Sequence, residues 1–365
     1  MTDAARIRVG ILFGGQSAEH EISILSARNV LAALDLTRFE PVLIGIDKRG
    51  RWLKQDPERL LASARDPRLV RIDGGPPAEL ASTFAAPALP GAAQPIDVIF
   101  PVLHGTLGED GAVQGLFEVA GIPYVGAGIL GSAIGMDKDV MKRLLRDAGI
   151  PIADFRTIRR RAFDSDPGRV CRELAALKFP LFVKPANAGS SVGITKVAEA
   201  AGIEKALRYA FEFDSKALGE AAVEGREIEL AVLGGNPPLV SAAGEIIVKH
   251  PDGFYSYDAK YIDEQGVSFE LPARLSADEL ARARKVALQT FEALECEGLA
   301  RVDLFLNAAG EFLVNEINTL PGFTAISMYP KLWALSGVRQ QELVTRLIEL
   351  ALDRARQRSA LRRSI

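Results

Sequence analysis

Ala300-Arg301-Val302-Asp303-Leu304-Phe305 and Val314-Asn315-Glu316-Ile317-Asn318 decide the fold. Each reads as a strand in which polar residues fall at every second position of an apolar run. Side chains alternate across a strand, so Arg301 with Asp303, and Glu316 with Asn318, share one face while Val302, Leu304 and Ile317 point the other way. Two adjacent strands of this kind present a cation, two carboxylates and an amide together. A solvated strand face is the ordinary meaning of such a pattern. Here the apolar flanks favour a site, because carboxylates in mostly buried strands need a partner. Asp303, Glu316 and the Asn318 oxygen are hard ligands of the kind that hold Mg²⁺ against nucleotide phosphates.

Working outward, Leu320-Pro321-Gly322-Phe323-Thr324 is a turn whose glycine lets backbone N–H groups approach a ligand. Beside Arg301, such donors can stabilise an oxyanion. Upstream, the segment 181–185 predicts a strand, 187–191 a small-residue loop and 192–197 a returning strand. Gly189-Ser190-Ser191 at that hairpin tip, with Lys184 five residues before it, has the makings of a phosphate cradle. It is not a P-loop, since its lysine precedes the glycine on a strand. Met136-Asp137-Lys138 opens a helix with Val140, Met141, Leu144, Leu145 and Ala148 on its apolar face, closed by Gly149 and Pro151. Lys138 is a second candidate phosphate contact. Ser276 and Glu279 form a capping box for a helix with Leu280, Ala287, Leu288, Phe291 and Leu294 on its apolar side. Phe254 to Tyr261, a long aromatic loop carrying Lys260, reads equally as a lid or as an anchored surface loop.

The amino-terminal part alternates strand and helix: strands at 7–13, 42–46 and 98–103, and a helix over 19–34. That order predicts a parallel sheet and an α/β lobe. Gly14-Gly15 lacks the third glycine of a dinucleotide fingerprint. Glu19 at the helix start either complements the helix dipole or faces a cleft and pairs with a substrate ammonium. The Gly74–Pro95 portion reads as surface elaboration. A chain of 365 residues suits two or three lobes, and 48% hydrophobic with 25% charged residues is ordinary for a soluble protein. A net charge of -3 argues against a nucleic-acid or anionic-membrane partner. Cys171 and Cys296 read as helical, buried small hydrophobes rather than a disulfide or metal cluster. With no signal-peptide pattern and no membrane-length apolar run, the expected location is cytoplasmic.

Seven segments in order resemble the D-alanine–D-alanine ligase family of the ATP-grasp superfamily: GGQSAEHEIS (14–23), HGTLGEDG (104–111), MDKDVMK (136–142), VKPANAGSSVG (183–193), YDAKY (257–261), ARVDLF (300–305) and VNEINTLPGFTAISMYPKLW (314–333). The last is the most specific. The resemblance implies an ATP-grasp fold with an N-terminal parallel α/β substrate-binding lobe (1–126), a central lobe (127–223) and a C-terminal lobe (224–365), with ATP between the last two. It implies that Lys138 and Lys184 contact phosphates, that Glu220, Val223 and Glu227 line the adenine and ribose site, and that Lys260 lies near the transferring phosphoryl group. Asp303, Glu316 and Asn318 would hold two Mg²⁺ or Mn²⁺ ions. Glu19 would bind the ammonium of a first D-alanine, linked to Ser190 and Tyr261. Arg301 and the Gly322 amide would stabilise the tetrahedral intermediate, and Ser327 would hold the second D-alanine's carboxylate. His104 would assist near that second substrate, a structural histidine being equally compatible. Ala222 departs from relatives that carry a bulky residue at the adenine hinge. Tyr261 in place of phenylalanine favours an amine over a hydroxy acid as second substrate. The resemblance also implies a homodimer and a role in peptidoglycan precursor synthesis. The rival readings are another ATP-grasp carboxylate–amine ligase, a D-alanyl-D-lactate ligase and a non-catalytic nucleotide sensor.

Overall fold

The computed structural model describes residues 5–63, 66, 70–72, 74–78, 95–249 and 266–362. Its first sheet is built around Ile7–Gly14 (β1), with Phe39–Ile46 (β2) and Val98–Pro101 (β4) parallel on either side and Trp52–Gln55 (β3) as an antiparallel edge. The parallel core matches the βαβ reading. β3 escaped it because four residues of mixed polarity carry no period. Val9 to Phe13 is an apolar run buried from end to end except for its glycine's lack of a side chain, as a strand covered on both faces requires. His20–Ala33 (α1) packs on β1, and Pro57–Ala62 (α2) starts from an Asp56 cap with proline in its first turn. Ala112–Ala120 (α3), Ile129–Met136 (α4) and Lys138–Asp147 (α5) follow.

The second sheet is antiparallel, in the order Phe155–Arg159 (β5), Lys216–Ala221 (β8), Leu181–Pro185 (β6), Thr195–Val197 (β7). Arg160–Ser165 (α6), Pro167–Ala175 (α7) and Ile203–Ala210 (α8) close a separate core with it around Phe163, Leu174, Leu181 and Leu207. The expected hairpin is there, but its second strand begins only at Thr195. Ser190, Ser191 and Gly193 are left-handed (φ 49°, 57° and 73°) and cannot continue an extended ladder.

The third sheet is also antiparallel: Gly225–Leu233 (β9), Leu239–Val248 (β10), Val267–Glu270 (β11), Leu299–Asn307 (β12) and Phe312–Asn318 (β13), in the order β11-β10-β9-β12-β13. Its two faces follow from the period of two. Ile228, Leu230, Val232, Val302, Leu304 and Ile317 pack against Ala277–Ala293 (α9), whose capping box at Ser276 and Glu279 is formed. Met141 and Leu145 of α5 join the same core, so that helix is anchored to the third sheet by its apolar face. On the opposite face, Ala231 and Leu233 lie under Met328–Leu335 (α10) and Gln340–Ser359 (α11), in one continuous core with Val9, Ile11, Phe13, Phe100 and Phe323. First and third sheets are thus held together by shared apolar burial.

Gly298 lies at this junction in a left-handed conformation (φ 71°), and a methyl added there would stand 3.1 Å from the Gly126 Cα. Gly298→Ala is expected to destabilise the protein by about 1–3 kcal/mol through backbone strain, read as a lowered thermal midpoint. Cys296 is buried but lies in the turn after α9 rather than in a helix, and Cys171, in α7, is half-buried. Among the described residues no helix is long and apolar enough to cross a membrane.

Candidate active site

The antiparallel register sets Arg301 opposite Asn318 and Asp303 opposite Glu316, which places the four polar side chains on one face. The Arg301 guanidinium forks onto both oxygens of Asp303 (2.7 Å each), and its Nε lies 3.2 Å from Glu229 on β9. The Asn318 amide donates to Asp303 at 3.0 Å. Burial works against the arginine's charge, but Asp303 and Glu229 outweigh it and hold the guanidinium firmly protonated. Glu229 pairs directly across from Asp303. Sequence reading passed over it, although the i, i+2 relation to Glu227 marks the same face.

Across from this face, β6 and β8 present Lys184 and Glu220. Lys184 lies 2.8 Å from the Glu220 carboxylate, and Lys142, wholly buried on α5, lies 3.1 Å from the same oxygen. Burial opposes the Glu220 charge, yet the two lysines hold its carboxyl below the usual range. Lys142 is a second group that sequence reading missed; its signal is the four-residue step from Lys138, which puts both on one side of α5. Lys138 donates to the Ala188 carbonyl at 2.7 Å and stands 3.6 Å from Glu316, so it ties the 187–191 loop to the third sheet. Asp137 caps α5, and the buried Lys216 of β8 donates to both Asp137 and Asp139, which fixes the helix start against the second sheet. A cavity of about 410 Å³ separates the two sheets, lined by Lys184, Glu220, Val223, Glu227, Arg301, Asp303 and Glu316.

Glu19 precedes α1 and does not cap it. Its carboxylate instead accepts a hydrogen bond from Ser190, at the tip of the left-handed loop. A methyl on Gly105 or Gly189 would lie 2.8 or 3.0 Å from that carboxylate, so only glycine lets both loops close on it. Glu109, also unmarked by the sequence reading outside its motif, accepts the Gly105 N–H at 2.9 Å. Burial, and then the Glu19 charge, push its carboxyl well above the ordinary range, and the charges of Arg301 and Glu316 also act on it. Glu19 is thereby joined to the 187–191 loop, which Lys138 in turn ties to Glu316 near the other end of the chain.

His104 is buried between Ser26 (3.0 Å to Nε2) and the Leu320 carbonyl (3.1 Å to Nδ1), and Ser26 also accepts the Phe323 N–H at 3.1 Å. Those bonds give it the structural place of a strut under the 320–324 turn. Burial pushes its pKa down, against the opposing effect of Glu19. The unfolded chain protonates near the ordinary value of 6.5 while the folded chain resists. The sign follows: this contribution to stability is complete above that pH and is lost as pH falls through it. His104→Asn is expected to flatten the fall of the denaturation midpoint as pH drops below about 6.5. Ser327, at the start of α10, accepts the Thr324 N–H at 2.9 Å and shares a 2.7 Å bond with the Thr324 hydroxyl. Gly322 lies against it: a Cβ there would be 2.8 Å from the Ser327 hydroxyl. Lys260 and Tyr261, with the remainder of the expected lid, lie outside the described residues.

Two antiparallel sheets enclosing a cleft lined with lysines and carboxylates, joined to a parallel α/β sheet, define the ATP-grasp fold. Family models described as the D-ala D-ala ligase N-terminus and C-terminus match residues 8–127 and 144–349. The chain is 51% identical to D-alanine–D-alanine ligase A of Chromobacterium violaceum, covering 98% of this chain and 99% of that one. It is 47% identical to D-alanine–D-alanine ligase A of Escherichia coli K12, covering 98% and 99%. Among solved structures, the D-alanine–D-alanine ligase of Coxiella burnetii superposes with a TM-score of 0.81 at 37% identity, covering 98% of this chain and 97% of that one. The VanG D-Ala:D-Ser ligase of Enterococcus faecalis gives 0.81 at 34% identity, covering 95% and 100%. The chain belongs to the D-alanine–D-alanine ligase family.

Proposed function

We propose that this chain joins two D-alanines into D-alanyl-D-alanine at the expense of ATP, through a D-alanyl phosphate, as a step toward peptidoglycan precursors. The observation that supports this reading is the Glu19–Ser190 hydrogen bond in a loop that Lys138 ties to Glu316, beside a nucleotide-sized cavity lined by Lys184, Glu220, Arg301, Asp303 and Glu316. Glu19 takes the ammonium of the first D-alanine. That substrate's carboxylate oxygen attacks the γ-phosphorus of ATP, and ADP leaves. Lys138 and Lys184 offset the phosphate charge, while Glu220, Val223 and Glu227 receive the adenine and ribose. The amine of the second D-alanine, oriented through its carboxylate by Ser327, attacks the acyl carbon. Arg301 and the Gly322 N–H take the charge of the tetrahedral oxyanion. Phosphate leaves with the original carboxylate oxygen, and the amine gives up a proton. His104 serves by supporting the Leu320 to Thr324 turn rather than by touching substrate.

Asp303, Glu316 and Asn318, all oxygen donors, would hold two Mg²⁺ or Mn²⁺ ions. Among the described residues no group of three or more His, Cys, Asp or Glu side chains is placed to hold a metal by itself, and a cation that also binds phosphate needs only one or two protein carboxylates. When bound, such ions neutralise charge on the transferring phosphoryl group. The lobe limits 1–126, 127–223 and 224–365, a homodimeric assembly and a cytoplasmic location complete the proposal; family likeness supports them.

With ATP, Mg²⁺ and D-alanine the purified protein is expected to release phosphate and form the dipeptide, L-alanine giving no stimulation. D-lactate as second substrate is expected to yield no depsipeptide. A response to L-alanine equal to that of D-alanine would overturn the substrate assignment.

A further inference from the structure

Helix α5 has two working sides. Met141 and Leu145 are buried in the core of the third sheet, while on the other side, one turn apart, Lys142 meets Glu220 of the second sheet and Lys138 bridges the 187–191 loop and Glu316. Lys142 is wholly buried, and its ammonium stands 3.1 Å from the same Glu220 oxygen that Lys184 approaches to 2.8 Å. Glu220 is itself buried, and it and Lys184 line the cavity while Lys142 stands behind them. Lys142 does not line that cavity. Two lysines share one directly contacting carboxylate, with Glu316 acting on Lys142 from farther off, in a place where a poorly compensated charge is costly. Electron-rich ligand atoms arriving from the cavity side would add to that compensation.

Resting on the nucleotide site proposed above, we infer that Lys142 is a positioning residue for nucleotide binding: by holding Glu220 from behind, it keeps Lys184 only partly neutralised and turned toward the nucleotide. Remove the Lys142 charge and Glu220 becomes a one-to-one partner for Lys184, which cancels the lysine's field at the cavity. Burial pushes the Lys142 pKa down to about 8, with Glu220 and then Glu316 opposing the shift and Lys184 adding to it. A lysine serving only to fill volume would not need to retain a charge in that position.

Titration calorimetry with Mg²⁺ and ADP, on the intact enzyme without D-alanine, separates the possibilities. The unmodified protein must bind ADP; if it does not, the nucleotide reading itself fails. Given that binding, Lys142→Met is expected to raise the ADP Kd by about tenfold, the loss of roughly one charge-assisted contact. Lys142→Arg keeps the charge and is expected to stay within about threefold of the unmodified protein on the same scale. An unchanged Kd in K142M overturns the inference, as does an arginine variant as weak as the methionine one. If K142M does not fold, Lys142→Gln takes its place against Lys142→Arg under the same criteria. Failure of all three single variants to fold would make Lys142 a purely structural residue and also overturn it.

Discussion

Arg301→Met is expected to lower kcat by about 10² to 10³-fold, the usual loss when one donor to a developing oxyanion is removed. The KM for ATP should move much less, because the guanidinium acts on the acyl carbon's oxygen and not on the adenine or ribose. Its geometry explains why no neighbour can substitute. The fork is fixed by two 2.7 Å bonds to Asp303 and a 3.2 Å contact with Glu229, on a strand whose opposite face is sealed in the core. Removing it also takes the shared cation away from two largely buried carboxylates, and breaking a buried ion pair costs roughly 3–5 kcal/mol. The thermal midpoint should therefore fall with the rate. Arg301→Lys separates the two effects: it restores a charge without the planar fork, so the midpoint should recover more than kcat. Steady-state kinetics and a melting curve on the same preparations check both.

Glu316→Gln is expected to cost at least about 10²-fold in kcat and to shift the Mg²⁺ concentration for half-maximal activity upward, since metal stabilisation of a transferring phosphoryl group supplies several kcal/mol. Glu316 faces Asp303 across the β12–β13 ladder, with Lys138 at 3.6 Å. The substitution keeps shape and removes charge, so the fold should persist. A Mg²⁺ titration at saturating ATP and D-alanine separates loss of metal affinity from loss of rate. A variant with unchanged Mg²⁺ dependence and unchanged kcat would remove Glu316 from the metal site.

The parts of this site legible in sequence were those governed by local periodicity. Arg301, Asp303, Glu316 and Asn318 could be placed on one face because a strand alternates and their flanks are apolar. The capping box at Ser276 and Glu279, and the α5 start at Asp137, were likewise local signals. Glu19 and Ser190 illustrate the limit. They lie 171 residues apart, and nothing in either segment's period says that they meet; only the family resemblance linked them. Lys142 and Glu229 went unremarked for a different reason. A buried ion pair looks, in one dimension, like any surface charge, and becomes informative only when its partner strand is known. His104 shows the reverse case: a residue conspicuous in its motif proves to spend both ring nitrogens on Ser26 and Leu320. The shortened β7 strand was hidden because two serines adopt left-handed backbone that composition alone does not announce.

The most direct test of activation through an acyl phosphate is oxygen transfer. D-alanine labelled with ¹⁸O in its carboxylate is supplied with unlabelled ATP in unlabelled water, and the released phosphate is analysed by mass spectrometry. Because the carboxylate oxygen that attacks phosphorus departs with it, one labelled oxygen per phosphate is predicted for each dipeptide formed. Phosphate carrying no label while dipeptide accumulates would contradict the account.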